Sequence, residues 1–455
     1  MRMTVADAVA ATGGTLLRGD RGDAFTDATQ DSRRVVPGML FIPIKGDRDG
    51  HDFVAAALDA GAAGYLTERG DVAAAQGTFA IGVGDTLTAL ADLGRLARER
   101  IPDVAAITGS AGKTTTKDFL AAIVSRVAVT GVAPGSHNNE IGMPLTLVNA
   151  PDAARIVVSE IGARSPGDVR WGAELVQPTV GVVTNVGSAH LGVFGSREAI
   201  ARTKGELVEA LDVDGVAVLN ADDALVAEMA ARTRARVVTF SADGDRAADV
   251  SVAASRFAPD LSAEFVLETP VGRIECETHG AGPHILSCAA GAAAAAIALG
   301  ASADDVAAGL VGTERSAHRM QLHASAGGWR VLDDAYNANP ESMAAALASA
   351  AGVAGADGRT LALLGHMAEL GPAAADAHRA LADLHRGHGF DVVVSVGEHA
   401  ELVSDNVARD PAEAAELLRR LAGGFRPGDV IVVKASRVVG LEAAVPALLE
   451  IRTDP

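Results

Sequence analysis

The stretch VAAITGSAGKTTTKDF, residues 104–119, carries the reading of the fold. A short apolar run ends at Thr108, a turn bracketed by Gly109 and Gly112 follows, and Lys113 opens a helical pattern. Strand, glycine-rich turn and helix in that order make a phosphate cradle. The turn at Gly109, Ser110, Ala111 and Gly112 lets the backbone approach a ligand, and the free amides at the helix start favour an anion. Lys113 stands where a cation meets outer phosphates, and Thr114 or Thr115 where a hydroxyl reaches Mg²⁺. The full pattern GxxxxGK[ST] asks for glycine at position 107, where Ile107 stands, so the loop is a shortened form. A glycine-rich turn with a surface lysine is the plainer alternative; the flanking strand and helix favour phosphate.

Other β-rich runs alternate with longer helical patterns: RIVVSEI (155–161), TVGVVTNV (179–186), GVAVLN (215–220), WRVLDDAYN (329–337), TLALLG (360–365), DVVVSVG (391–397) and DVIVVKAS (429–436). That alternation predicts βαβ units and parallel sheets. Composition agrees: 49% hydrophobic but 3% aromatic residues leave a core of Ala, Val, Leu and Ile, suited to helices packed on buried strands. At about 150 residues per domain, the 455 residues suggest three. The helical DTLTALADLGRLARER closes a first block at 1–100, a second runs over 101–313, and a fresh strand and helix series fills 314–455. The expected class is α/β, with a smaller N-terminal α/β domain, a central P-loop ATPase-like parallel sheet and a C-terminal Rossmann-like domain. The low-complexity AAGAAAAAIALG (289–300) reads as a helix.

A formal charge of −19 argues against a nucleic-acid partner, which needs clustered Lys and Arg. Two cysteines, Cys276 and Cys288, supply neither a disulfide framework nor metal spacing, which fits a reducing cytosol. With no signal-like N-terminus and no run of about 18 apolar residues, a cytoplasmic protein without membrane insertion is expected. His378, His385 and His388 have metal-like spacing but sit in an amphipathic helical pattern ending at glycine.

Further candidates cluster after strands. Glu160 in VVSEIGA ends an apolar run, where open α/β sheets gather ligands and a carboxylate suits a hard cation. His190 in TNVGSAHLGVFGS follows another, Lys204 lies in the helical TKGELVEAL, and GSHNNEIGMP (135–144) is a polar loop with Asn138 and Asn139 adjacent. Singly, each has a structural explanation; together with the cradle they point to nucleotide chemistry.

Taken with DSRRVVPGMLFIPIKG, DGHDF, DDAYNANPESM, MAELG and VKASR, the motifs TGSAGKTTTK, HNNEIGMP, SEIGA, TNVGSAHL and TKGEL resemble, over essentially the whole chain, the Mur ligase family of ATP-dependent amide-bond ligases in peptidoglycan precursor assembly. The resemblance implies that Lys113 and the amides from Gly109 to Thr114, with Thr115 beside them, hold the ATP phosphates. Thr114 and Glu160 would bind one Mg²⁺, and His190 a second together with Lys204 carbamylated by CO2. Arg319 would reach the γ-phosphate, and Asp334 and Asn337 the nucleoside. Ser32, Arg33 and the loop to His51 would bind a uridine nucleotide, and Asn138 and Asn139 would lie near the reacting ends. The implied reaction adds D-alanyl-D-alanine to a UDP-N-acetylmuramoyl tripeptide through an acyl phosphate, by a monomer acting on small molecules. Where the family's adenine-binding helix is expected to carry asparagine, GAGPHILSCAAGAA has Ile285 and Cys288 after His284. Two other readings are an amide ligase for a different acid and amine in a specialised peptide pathway, and a non-catalytic nucleotide-binding scaffold.

Overall fold

The computed structural model describes residues 1–450 apart from 73–75, 189–190, 259–260, 280–281, 283, 315 and 355–357. Strands Asp103–Thr108, Ile156–Glu160, Val180–Val183 and Val216–Asn220 are buried along almost their whole length. Such strands need cover on both faces, and helices supply it. The four are parallel neighbours in a nine-stranded sheet, with Thr130–Val132 at one edge and Arg236–Ser241 and Val250–Phe257 continuing the parallel run at the other.

The last two strands, Ser262–Thr269 and Gly272–His279, are antiparallel. Gly272–His279 buries Ile274, Cys276 and Thr278 and exposes the residues between, so it is covered on one face only. Sequence reading by continuous apolar runs passed over this hairpin because its apolar residues alternate.

Chain direction in this sheet reverses at Asp103–Thr108. From that strand the chain steps outward to Thr130–Val132, returns to Ile156–Glu160, then crosses to Val180–Val183 on the opposite side. A crevice opens beyond the carboxyl ends of strands at such a switch point. Gly109, Glu160 and Thr184, at the ends of three adjacent strands, therefore face one space.

A six-stranded sheet forms the C-terminal part. Arg330–Asp333, Val430–Lys434, Thr360–Gly365, Val392–Val396 and Val407–Ala408 are parallel, and Gln321–Ala324 pairs antiparallel at the edge. Helices Pro340–Ala354 and Ala374–Gly387 bury Met343, Leu347 and Leu381 on one face; Pro411–Leu421 and Val445–Leu449 bury Leu418 and Leu448 on the other. The histidines of Ala374–Gly387 are structural. The ring of His378 bonds the Ala374 carbonyl at 2.7 Å and accepts the Met367 amide at 3.0 Å, and His385 bonds the Val403 carbonyl at 2.9 Å. Burial lowers the pKa of both rings. No cluster of three potential metal ligands occurs among the described residues.

The N-terminal sheet is built of short strands in the order Thr15–Arg18, Phe79–Gly82, Gly64–Thr67, Leu40–Phe41, Ala28–Thr29. Helix Thr86–Arg98 starts at Asp85, whose carboxylate accepts the Thr88 amide at 2.7 Å, and buries Leu90, Leu93 and Ala97. One hydrophobic core runs from Met1 through this helix to Ala235, so packing is continuous across residue 100.

Helix His284–Ala298 contains the alanine run and packs on the phosphate-loop helix Lys113–Val124. Small side chains allow that close approach. Helix Ala303–Val311 also packs closely on Lys113–Val124, at Gly309, where a Cβ would stand 2.6 Å from the Ile123 Cα. Gly309→Ala should therefore overpack the contact and destabilise the fold by about 1–3 kcal/mol. Thermal unfolding checks this; a midpoint equal to wild type would show that the helices part without strain.

Candidate active site

The phosphate loop leaves the strand at Gly109 with φ +152°, and a Cβ there would fall 1.8 Å from Thr184 Oγ1. Only glycine lets the two loops touch. Gly112 follows with φ +79° as the N-cap of Lys113–Val124. The next loop braces the first: Asn185 Oδ1 accepts the Ala111 amide at 2.9 Å, while Thr184 Oγ1 and Asn185 Nδ2 donate to the Ala111 carbonyl at 2.7 and 3.0 Å. Ile107, which occupies the missing glycine position, is a buried strand residue in register with Glu160. The loop therefore begins two residues later than in the full pattern.

Thr114 Oγ1 donates to Glu160 Oε2 at 2.8 Å and lies 3.0 Å from Ser136 Oγ. Asn138 Nδ2 donates to Glu160 Oε1 at 2.7 Å. Two hydroxyls and a carboxylate make an all-oxygen set of the kind a hard divalent ion takes. Asn139 Oδ1 accepts the Gly142 amide at 2.9 Å and so shapes the loop.

Arg319 arrives from the C-terminal side. Its Nη2 donates to Thr114 Oγ1 at 3.2 Å and Ser136 Oγ at 3.0 Å, and its guanidinium lies 3.9 Å from the Tyr336 ring centroid. The backbone on either side is strained, with φ +59° at His318 and +50° at Met320. Its neighbours hold it there. Ser316 donates its amide and hydroxyl to Asp118 on the phosphate-loop helix at 2.8 and 3.2 Å, His318 bonds Asp333 at 2.7 Å, and the Met320 amide donates to Asp334 at 3.1 Å. Arg319 Nε and Ser110 Oγ are buried without a hydrogen-bond partner among the described residues. Such groups are costly unless something else satisfies them.

Two lysines face the same space. Lys113 donates from Nζ to the Gly109 carbonyl at 2.8 Å. The protein packed around it lowers its pKa, helped by Arg319 and opposed by Glu160. Lys204, on helix Arg197–Glu209, is buried and forms no hydrogen bond or ion pair with any described residue. Desolvation, with the nearby charge of Lys113, pushes its pKa well below the usual lysine value. His190 and Ala189 lie outside the described residues.

These groups line one cleft of about 1360 Å³. Gly109 to Thr115, Asn138, Asn139, Glu160, Lys204, Arg319, Asp334 and Asn337 all border it. Asp334 does so with its oxygens engaged: Lys434 ion-pairs with it and the Met320 amide binds it. Asn337 offers its carbonyl to Lys434 at 2.9 Å. Both therefore set the position of the Arg319 loop as well as facing the cleft.

Ser32, Arg33 and His51 do not border the cleft; Gln30 is the residue of that block that does. Arg33 is largely exposed and pairs with Asp31 at 2.8 Å. His51 is buried, its Nδ1 2.7 Å from Asp49 and its Nε2 accepting the Glu68 amide at 3.1 Å. With both ring nitrogens occupied, it holds its own loop together. Ile285 points into the core, and it is Ser287 and Cys288 that face the cleft, Cys288 Sγ lying 3.7 Å from the Gly112 carbonyl. Sequence reading had not singled out Ser136, Asn185, Tyr336 or Asp118. Each sits inside or beside a motif already marked, and its role depends on which way its side chain turns.

Comparison with known proteins follows this geometry closely. Residues 107–296 match the Mur ligase middle domain, and residues 318–437 match the Mur ligase, glutamate ligase domain. The UDP-N-acetylmuramoyl-tripeptide–D-alanyl-D-alanine ligase of Mycobacterium tuberculosis is 38% identical, over 92% of this chain and 91% of that protein. The crystal structure of MurF from Acinetobacter baumannii superposes with a TM-score of 0.86 at 31% identity over 99% of both chains. MurF ligase from Thermotoga maritima in complex with ADP gives 0.77 at 28% identity, covering 93% of this chain and 96% of that one. With a solved homologue matched end to end and the two domain models covering both walls of the cleft, the chain belongs to the Mur ligase family.

Proposed function

We propose that the chain is an ATP- and Mg²⁺-dependent ligase that joins D-alanyl-D-alanine to the terminal carboxylate of a UDP-N-acetylmuramoyl tripeptide. The observation that carries this is Arg319, brought from a second sheet to the threonine of the phosphate loop, with Glu160 and two buried cations around the same point. The relatives' names supply the substrate pair. In this reading residues 1–100 bind the uridine nucleotide end, with Ser32, Arg33 and His51 shaping the loops that meet it. Residues 101–313 bind ATP, and residues 314–455 receive the amine.

The chemistry needs what the cleft offers. A carboxylate is a poor electrophile, so its oxygen first attacks the γ-phosphorus of ATP and the bond to ADP breaks. The amine nitrogen then attacks the acyl carbon, inorganic phosphate leaves, and the amine loses a proton. The first step brings two anions together and needs fixed cations around the moving phosphoryl group. Lys113 and Arg319 point there, and the unpartnered Arg319 Nε and Ser110 Oγ are donors that a phosphate would satisfy. Thr114, Glu160 and Ser136 would hold a Mg²⁺, which neutralises phosphate charge when bound.

Lys204 would serve a second Mg²⁺ with His190, after carbamylation. CO2 reacts with the neutral amine, and burial beside Lys113 favours that form. The nitrogen bonds the CO2 carbon and gives up one proton, which leaves a carbamate whose oxygen anion faces the other cations.

Purified protein with ATP, Mg²⁺ and UDP-N-acetylmuramoyl tripeptide should release phosphate and give product of the added mass only when D-alanyl-D-alanine is present. Turnover confined to another acid and amine would favour a specialised-pathway ligase. Nucleotide binding with no turnover on any acceptor would favour a scaffold.

Lys204 separates catalysis from stability. Lys204→Ala should lose at least about 100-fold in kcat, with short carboxylic acids restoring part of it. In metal-free, CO2-free protein Lys204→Met should be as stable as wild type or more so, because it removes a buried amine without a counter-ion. The sign with pH is fixed. The unfolded lysine keeps its proton up to about 10.4, whereas the folded one gives it up earlier, so wild type gains on Lys204→Met as pH rises through that interval. Near wild-type turnover in Lys204→Ala would remove the metal-ligand role.

A further inference from the structure

The C-terminal sheet grips the central one at a second place, away from Arg319. Glu341 lies in the first turn of helix Pro340–Ala354 and borders the cleft. One carboxylate oxygen accepts the Ser188 amide at 2.9 Å and the other accepts the Ser188 hydroxyl at 3.0 Å. A carboxylate that accepts an N–H and an O–H makes charge-assisted hydrogen bonds, stronger than those between neutral groups. Gly187 makes room: a Cβ there would come 3.0 Å from Glu341 Cδ.

Ser188 is the last described residue of the loop whose beginning braces the phosphate cradle. Thr184 and Asn185 bind Ala111, and the Val186 amide donates to Asp223 at 2.7 Å. The loop is thus fixed to the central sheet at its near end and to the C-terminal sheet at its far end. A neighbouring contact acts in the same sense, the Gly192 amide donating to the Glu369 carbonyl at 3.2 Å, where Gly192 and Gly371 pack backbone to backbone.

We propose that Glu341 is a positioning residue that latches the C-terminal sheet to the loop 184–188, so that Arg319 is delivered to the phosphate loop in the same movement that makes the latch. Arg319 is tied to the central sheet near the chain crossover, through Ser316 and Asp118, and that tie alone acts as a pivot. Glu341 and Ser188 supply a contact elsewhere on the cleft, which converts a pivot into a fixed angle. The latch rests on the reading of the chain as an ATP-dependent ligase that needs Arg319 at the γ-phosphate.

Glu341→Ala is the test. It should lower kcat about 5- to 20-fold, as expected for a partly exposed charge-assisted pair, with KM for ATP and ADP affinity close to wild type because the phosphate loop is untouched. The unfolding midpoint should stay within about 2 °C of wild type. Glu341→Gln should recover most of the rate, since a carboxamide oxygen still accepts the Ser188 amide. Ser188→Ala should cost less than Glu341→Ala and add nothing to it. Small-angle scattering of the ADP-bound protein reads the latch without turnover, and Glu341→Ala should have the larger radius of gyration. Unchanged kcat and radius, fully additive losses, or a rate loss that tracks a fallen midpoint would each overturn the latch. A wild-type protein inert toward the muramoyl tripeptide would instead overturn the substrate reading, and the scattering comparison would still decide the latch.

Discussion

The cleft depends on one bridge, the guanidinium of Arg319 lying across to the hydroxyls of Thr114 and Ser136. Neither sheet holds a complete phosphate site. The central sheet supplies a cradle with Lys113, Glu160 and amides, and the C-terminal sheet supplies the opposing cation. In the function proposed, bringing the two sheets together would complete such a split site and expel water from it. That suits a reaction whose acyl phosphate would hydrolyse in the open.

Electrostatics in the cleft run against the character of the whole chain. The protein carries a formal charge of −19, yet Lys113, Lys204 and Arg319 gather where the sheets meet, and burial, with their mutual repulsion added, lowers the pKa of both lysines. Repulsion of this kind is tolerated where a polyanion relieves it. The cations are therefore better matched to a bound triphosphate than to one another, and binding energy from the phosphates can draw the two sides together. Lys204 is the extreme case, since Glu160 opposes the burial of Lys113 but no described residue does so for Lys204.

Much of this architecture was legible from sequence for simple reasons. Strands buried on both faces read as unbroken apolar runs, and each run marked between 104 and 436 contains a strand of one of the two large sheets. The phosphate loop is local, so its glycines and Lys113 could be placed from spacing alone, which left Thr114 and Thr115 as alternatives for the hydroxyl. The hairpin Ser262–Thr269 and Gly272–His279 was missed because its alternating pattern resembles a surface segment until its partner is known. Side-chain direction set the other limit. His51 lies in a marked motif, yet both its nitrogens are spent on Asp49 and Glu68, and Ile285 lies one helix position from the cleft but faces the core. Ser136 meets Arg319 only through the approach of the two sheets, and Tyr336 through the folding of the C-terminal part itself, where its amide donates to the His318 carbonyl at 3.2 Å; no local pattern encodes either contact.

Beside the cleft acidic side chains join the two sheets, and Leu261 from the central sheet's hairpin adds an apolar contact to the C-terminal core. Asp118 takes two hydrogen bonds from Ser316 and Glu341 takes two from Ser188. An apolar seam of comparable area would hold the sheets shut, since its burial is non-directional and hard to reverse. Paired carboxylates set direction and angle instead, and water replaces them at small net cost when the sheets part. An enzyme of this kind must admit three substrates and release three products, so contacts that are exact in angle and modest in strength serve turnover better than a permanent interface.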